Sequence, residues 1–207
     1  MREWLDGFCM AWGMFLAIPC PARRWNEAAR RKMVACLPLV GVIVGAVWAL
    51  CGWLGGLLPR PLAAALCAAA PWLATGFLHL DGFMDVCDGI LSRRELETRR
   101  RILKDSHCGA FAVICMVLLA LGQWSAFLSM ADVPLWPLAL LPVASRAAAA
   151  VAVLTLRPMG TSQYSAMTRG GAPAAVSAAL LAAAVIVPLA LWGSWGPLCA
   201  AAGYGSA

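Results

Sequence analysis

Apolar segments of about 20 residues make up most of this chain, and they restrict it to very few kinds of fold. Such a segment crosses the ~30 Å hydrocarbon core of a bilayer as one α-helix. Inside that core backbone N–H and C=O groups must bond to each other, which favours helices and closed barrels. Of the 207 residues, 62% are hydrophobic and only 13% are charged, whereas a soluble domain carries about a quarter charged residues. The sequence therefore predicts an all-α, polytopic membrane helix bundle.

The pattern predicts five full spans preceded by a short N-terminal apolar helix. The first 21 residues predict a tilted or interfacial helix that stays in the mature chain, because no small-residue cleavage site follows it. The five full spans are predicted at residues 33–58, 62–80, 108–130, 135–156 and 173–195.

The loop charges predict an orientation in the membrane. If segment 22–32 is cytoplasmic, loops 92–107 and 157–171 are cytoplasmic as well, and these three segments hold thirteen of the sixteen Lys and Arg residues. That asymmetry agrees with the rule that cytoplasmic loops are enriched in basic residues. Arg2 and Arg60 are then placed outside.

Two features of the composition predict no separate function. The nine cysteines include no C-x-x-C pair and are mostly scattered in apolar runs, which is typical of small buried hydrophobic residues. The net charge is +6, but the basic segments lack the interleaved aromatic residues or the fold signature that binding of a nucleic acid would need.

Three aspartates follow the second predicted span, in the stretch "FLHLDGFMDVCDGI". Asp81, Asp85 and Asp88 are spaced four and three apart, so on a helix they fall within an arc of about 60°. An unpaired aspartate at mid-bilayer costs about 2.5–3.5 kcal/mol, so the cluster is expected either in water at the interface or neutralised by a cation. Three carboxylates at one depth suit Mg²⁺, which prefers oxygen ligands and substrate phosphates.

The basic segment 92–107 follows these aspartates, and arginine matches phosphate groups well. Acidic residues beside a basic loop at a cytoplasmic face favour phosphoryl transfer from a nucleotide-activated substrate. The structural alternative stays open: the aspartates are helix-end residues in water, and the basic loop only sets the topology.

Five motifs resemble the cobalamin synthase family, also called adenosylcobinamide-GDP ribazoletransferases. "TGFLHLDGFMDVCDGI" resembles the family signature T-G-G-[LF]-H-L-D-G-L-x-D-x-x-D-G, and "ILKDSHCGAFAV" resembles its later [KR]-D-S-x-x-G element. "FLAIPCP", "LPLVGVIVGAV" and "ASRAAAAVAV" are similar to three further family segments, so the resemblance covers about residues 13 to 160.

The resemblance implies a reaction and a cellular location. Adenosylcobinamide-GDP is joined to α-ribazole or its 5′-phosphate, GMP is released, and Mg²⁺ is the expected cofactor. The enzyme is expected to lie in the bacterial cytoplasmic (inner) membrane, with lipid around it. Residues 1–207 are then a single membrane domain, with an active-site face built from loops near 19–32, 81–107 and 157–171. Homo-oligomers and docking of other corrinoid-assembly enzymes remain open.

The motifs also carry predicted metal and catalytic residues. Asp81, Asp85 and Asp88 are expected to hold Mg²⁺ against the pyrophosphate. The predicted catalytic residues are Asp85, Asp88 and Lys104, with Asp88 either a ligand or the base that takes the hydroxyl proton.

The predicted substrate-binding residues lie on three segments. His79 is expected to orient a substrate by hydrogen bonding, and Lys104, Asp105 and Ser106 form the K-D-S element. Arg146, alone in an apolar span, needs an aspartate or a phosphate as its partner.

The chain departs from the family pattern at three places. Ala17 and His107 stand where arginine is usual, and a T-G-D-x-x-G-A element expected near the C-terminus is not found. A non-catalytic relative is therefore one alternative. A CDP-alcohol phosphotransferase is another, although "DGFMDV" lacks the A-R pair of that class. A cation transporter would predict acidic residues near mid-span and an internal repeat, and neither is visible.

Overall fold

The computed structural model describes residues 2–22, 24–130, 135–156 and 171–192, and all regular structure in these ranges is helical. The α-helices, in chain order, are α1 (Arg2–Phe15), α2 (Arg30–Ala35), α3 (Leu37–Gly55), α4 (Arg60–Ala74), α5 (Leu78–Leu91), α6 (Leu96–Ile102), α7 (Ala110–Ser129), α8 (Leu135–Thr155) and α9 (Ala172–Trp192). A 3₁₀ turn at Glu27–Ala29 precedes α2. The predicted all-α class is confirmed for this part of the chain.

Three of these helices, α3, α7 and α8, are long and apolar enough to cross a membrane. The pair α4 and α5 passes the same test only when taken together, and the two helices are bent by 92°. The described residues thus provide three candidate spans, or four if the bent pair counts as one. This is fewer than the five full spans predicted.

The prediction of a continuous second span at 62–80 is wrong, because α4 ends at Ala74. Gly76 and Phe77 follow with φ values of 59° and 63°, in the left-handed region that glycine enters without strain and that costs other residues about 1–2 kcal/mol. The hydroxyl of Thr75 donates to the carbonyl oxygen of Pro71 at 2.9 Å and helps to close the last turn. The three aspartates consequently lie on a separate helix, α5.

The N-terminal helix folds back beside the basic segment. Its 14 residues extend only about 21 Å, which is short of the ~30 Å core. Lys32 forms an ion pair with Glu3, and a Cβ on Gly7 would lie 2.9 Å from the backbone carbon of Lys32. The first turn of α1 therefore lies beside residues 24–32. Arg2, in that turn, cannot lie on the opposite side of the membrane from this segment, as the loop charges had predicted.

The described residues form two compact units. The first comprises residues 1–50 and 134–207 as far as they are described, and in it α3 packs closely on α8. A Cβ on Gly41 would lie 2.7 Å from the Cα of Val143, and one on Gly45 would lie 2.9 Å from the carbonyl carbon of Ala139. Glycine at these two positions permits the close approach of the two backbones.

The second unit comprises residues 51–133 and contains α4, α5, α6 and α7. Two hydrogen bonds from Arg60, to the carbonyl oxygens of Leu128 and Met130 at 3.1 and 2.8 Å, join the start of α4 to the end of α7. The indole N–H of Trp124 donates to the carbonyl oxygen of Pro61 at 3.1 Å. The single membrane domain expected from the sequence stays a prediction.

Candidate functional site

The three aspartates lie on α5 at three different degrees of burial. Asp81 is in the first turn and exposed, Asp85 is half-buried, and Asp88 is only 9% exposed. A carboxylate in a first turn is favoured by the positive end of the helix dipole. One face of α5 thus runs from solvent into the packed unit.

The Asp88 carboxylate caps the start of a neighbouring helix, α7. One oxygen accepts a hydrogen bond from the backbone N–H of Gly109 at 2.6 Å, and the other accepts from Ala112 at 2.9 Å. The first N–H groups of a helix have no partner within it, and Gly109, at the N-cap position, has no side chain to supply one. Asp88 performs that task from another helix.

The expected convergence of three carboxylates on one metal ion is not found in the described part of the chain. No group of three or more His, Cys, Asp or Glu side chains there could hold a metal ion. The Asp88 carboxylate has a structural task there, because its two oxygens each accept a backbone N–H group of α7. Asp81 and Asp85, one helical turn apart, remain as a two-carboxylate pair.

The K-D-S element lies in the connection between α6 and α7. Lys104, Asp105 and Ser106 are all exposed. Asp105 lies 2.6 Å from Nδ1 of His107 and also accepts the backbone N–H of His107 at 3.1 Å. These hydrogen bonds lower the pKa of Asp105 and raise the pKa of His107. The sequence interpretation gave His107 no role, and the structure makes it the partner of a predicted site residue.

The remaining predicted site residues lie on α5 and α8. His79 is half-buried in the first turn of α5. Arg146 lies on α8, which belongs to the other compact unit. It is only 7% exposed, its Nη1 donates to the Ser145 hydroxyl at 3.2 Å, and its Nε has no hydrogen-bond partner among the described residues. The acidic or phosphate partner that the sequence predicts for Arg146 therefore stays a prediction.

The polar segment 92–107 is partly helical, since α6 occupies its centre. Arg100 pairs with Glu97 at 2.7 Å, and Nε of Arg99 donates to the carbonyl oxygen of Arg94 at 2.6 Å. Arg100 and Arg99 therefore have acceptors within their own segment.

Gly109 is a site residue that the sequence analysis did not single out. A Cβ at this position would lie 2.6 Å from a carboxylate oxygen of Asp88, far inside van der Waals contact. The glycine that ends the D-S-x-x-G pattern was the available signal. Its reason becomes visible only when α5 and α7 are packed together.

The described helices fit a multi-pass α-helical membrane protein, with a carboxylate-bearing helix beside a basic, histidine-containing connection. A family model described as cobalamin-5-phosphate synthase matches residues 7–206. The chain belongs to this family, which confirms the resemblance read from its motifs.

Curated relatives agree with the family match. An adenosylcobinamide-GDP ribazoletransferase of Clostridium perfringens (strain 13 / Type A) is 37% identical over 193 residues, covering 91% of this chain and 77% of the relative. One of Clostridium botulinum (strain Eklund 17B / Type B) is 42% identical over 171 residues, covering 79% and 68%. One of Geobacillus thermodenitrificans (strain NG80-2) is 35% identical over 157 residues, covering 72% and 60%. No solved structure matches this chain.

Proposed function

We propose that this chain is an adenosylcobinamide-GDP ribazoletransferase that completes the corrinoid nucleotide loop in adenosylcobalamin biosynthesis. The observation that carries this proposal is the family match over residues 7–206. It favours this activity over a CDP-alcohol phosphotransferase. A non-catalytic relative is the outcome that the activity assay below must exclude.

The proposed reaction is a displacement at phosphorus. A ribose hydroxyl of α-ribazole, or of its 5′-phosphate, forms a new O–P bond to the phosphate on the cobinamide side. The phosphoanhydride bond breaks, GMP leaves with the bonding electron pair, and the hydroxyl proton passes to a base. No oxidant or reductant is required.

Asp81 and Asp85 are the residues that fit Mg²⁺. They lie one turn apart on the less buried part of α5, and no side-chain hydrogen bond within the described residues engages their oxygens. Mg²⁺ is usually held by one or two carboxylates together with substrate phosphates and water. When bound it supplies neutralisation of phosphate charge. Asp88 is proposed to act as a positioning residue, because each of its oxygens already accepts a backbone N–H of α7, and its predicted role as a ligand stays a prediction.

Three other predicted residues, Lys104, Asp105 and Asp88, have proposed roles that follow from their positions. Lys104 is exposed and is proposed to attract the substrate pyrophosphate as a point charge. Asp105 orients the His107 ring through Nδ1, which leaves Nε2 directed away from the carboxylate. Asp88 is proposed to position the connection that carries these side chains by holding Gly109.

We propose that the membrane crossings are α3, the bent pair of α4 and α5 counted as one, α7, α8 and α9, with α1 at the interface. The bend of 92° supports this order, because α4 alone is too short for the core and the first turn of α5 can complete the crossing before α5 turns along the cytoplasmic surface. The excess of basic residues in alternate loops supports a cytoplasmic active face in a bacterial inner membrane. Reporter fusions after residues 58 and 106 test it: only the second should report a cytoplasmic position.

The activity is tested with membranes that contain this chain, adenosylcobinamide-GDP, α-ribazole and Mg²⁺, by following GMP and corrinoid product. Asp81→Asn and Asp85→Asn should lose activity by at least a hundredfold. Glu97→Gln is the matched control, because Glu97 is an exposed acid of the same unit paired only with Arg100. A well-folded parent that forms no product would contradict the proposal.

A second measurement decides whether Asp85 is a metal ligand or the proton acceptor. Binding of Mn²⁺ to the purified chain, followed by electron paramagnetic resonance, should weaken in Asp81→Asn and be unchanged in Asp88→Asn. Weaker binding in Asp85→Asn identifies Asp85 as a ligand. Unchanged binding with lost turnover identifies it as the proton acceptor.

A further inference from the structure

An open cleft of about 570 Å³ lies beside the first turn of α1, within the first compact unit. It is lined by polar, charged and aromatic side chains: Arg2, Glu3, Asp6, Arg24, Trp25 and Asn26. Clefts that hold small molecules have volumes of about 300–1,000 Å³. None of these residues has a role in the site on α5.

The floor of this cleft is a buried and bonded carboxylate. Asp6 is only 7% exposed. One oxygen accepts from Nδ2 of Asn26 at 3.1 Å, and the other from Nη1 of Arg24 at 3.4 Å. The Asn26 amide, and after it the Arg24 guanidinium, hold the pKa of Asp6 below its usual range. The side-chain oxygen of Asn26 also accepts the backbone N–H of Ala28 at 3.1 Å, so the Asn26 amide is fixed at both of its ends.

One wall of the cleft is a flat aromatic platform. Trp25 is 58% exposed, although its indole N–H donates to the carboxylate of Glu27 at 2.7 Å. A large exposed ring whose orientation is fixed in this way offers a π-face to a planar ligand. Stacking of a nucleic base on such a ring is a common mode of recognition.

The rim of the cleft carries positive charge. Arg2 is exposed, and about half of the Arg24 side chain is accessible to solvent, 49%. Only Nη1 of Arg24 donates to Asp6, and the exposed part of the guanidinium suits a phosphate, whose geometry such groups match. Glu3 is paired with Lys32, which leaves its charge neutralised.

We propose that this cleft binds the base and phosphate of an aromatic nucleotide, with the ring on Trp25 and the phosphate at Arg2 and Arg24. Asp6, at the floor, keeps lone pairs beyond its two hydrogen bonds and can accept base N–H groups. The choice of nucleotide rests on the proposed function, since both the guanosine phosphate of one substrate and the ribazole phosphate of the other have this chemistry. An anionic lipid surface fits less well, because two carboxylates line the cleft.

The test uses the purified full chain in detergent, without Mg²⁺. Binding of GMP and of α-ribazole 5′-phosphate is measured separately by calorimetry. Trp25→Ala should weaken binding of one of them by about 5- to 150-fold, the range that loss of one stacked base gives. Trp25→Phe should stay within about threefold of the parent. Trp53→Ala is the matched control, because Trp53 is equally exposed at 61% but lies at the end of α3.

The two nucleotide arms identify the source of the ligand. The proposal would be overturned if neither nucleotide bound to the parent. It would also be overturned if the parent and Trp25→Ala bound the nucleotide equally well. A Trp25→Ala variant that binds nucleotide normally but partitions less into vesicles with anionic lipid would overturn it as well, and would make Trp25 a membrane anchor. The activity assay is independent of these outcomes: an active chain without binding here keeps its proposed function, and an inactive chain that binds keeps the cleft.

Discussion

Replacement of Asp88 by alanine should loosen the junction between α5 and α7. The carboxylate accepts the backbone N–H groups of Gly109 and Ala112 at 2.6 and 2.9 Å. Alanine removes both acceptors and leaves two donors at the start of α7 without partners. Asparagine keeps one carbonyl oxygen and therefore one of the two hydrogen bonds.

The magnitude follows from those two hydrogen bonds. A hydrogen bond to a charged group contributes about 1.5–3 kcal/mol, and loss of an N-cap typically costs about 0.5–2 kcal/mol. The bond to Ala112 is buried, whereas the bond to Gly109 is only partly buried, so water can replace the second in part. We expect Asp88→Ala to lower the free energy of unfolding by about 2–4 kcal/mol and Asp88→Asn by about 1–2 kcal/mol.

Two measurements check this expectation. The free energy of unfolding is measured in mixed micelles by titration with a denaturing detergent, followed by circular dichroism. Hydrogen exchange then reports on the amides of Gly109 and Ala112, whose protection should fall by about 30-fold or more for a loss of 2 kcal/mol. Asp81→Ala is the control, because Asp81 is exposed on the same helix and surface changes usually stay within about 0.5 kcal/mol.

Equal stability of the Asp88→Ala and Asp81→Ala variants would refute the capping argument. Unchanged protection at the two amides would refute it as well. If Asp88→Ala instead removed metal binding while both amides stayed protected, the predicted role of Asp88 as a ligand would be supported in place of the capping role.

Two further predictions concern the packing of α3 against α8 and the Asp105–His107 ion pair. Gly45→Ala should destabilise the chain by about 1–3 kcal/mol, because its Cβ would lie 2.9 Å from the carbonyl carbon of Ala139. Gly122→Ala, with nothing within 4 Å of its Cβ, should be neutral or stabilising; equal losses in both variants would contradict the argument. Asp105→Asn should return the raised pKa of His107 toward its usual 6.5, measured by NMR titration of the ring. The contribution of the Asp105–His107 ion pair to the free energy of unfolding should be complete between about pH 3.8 and 6.5. It should be lost as the pH rises through the raised pKa of His107 or falls through the lowered pKa of Asp105.

The sequence by itself determined the class of fold and the family. Long apolar segments leave few alternatives to membrane helices, and this argument needs no tertiary contact. The HLDG and KDS motifs were sufficient to indicate the family, because they are contiguous stretches of chain. The i, i+4 relation of Asp81 and Asp85 also follows from local helix geometry alone.

Only the tertiary structure decided where those residues point and what they contact. The break after Ala74 depends on two successive left-handed residues, and hydropathy does not register backbone dihedral angles. The capping role of Asp88 requires α7 to begin against α5, a contact across more than 20 residues. The return of α1 to Lys32 is likewise a long-range contact. Helical periodicity places side chains on one face of one helix, whereas the partner of that face is set by packing between helices.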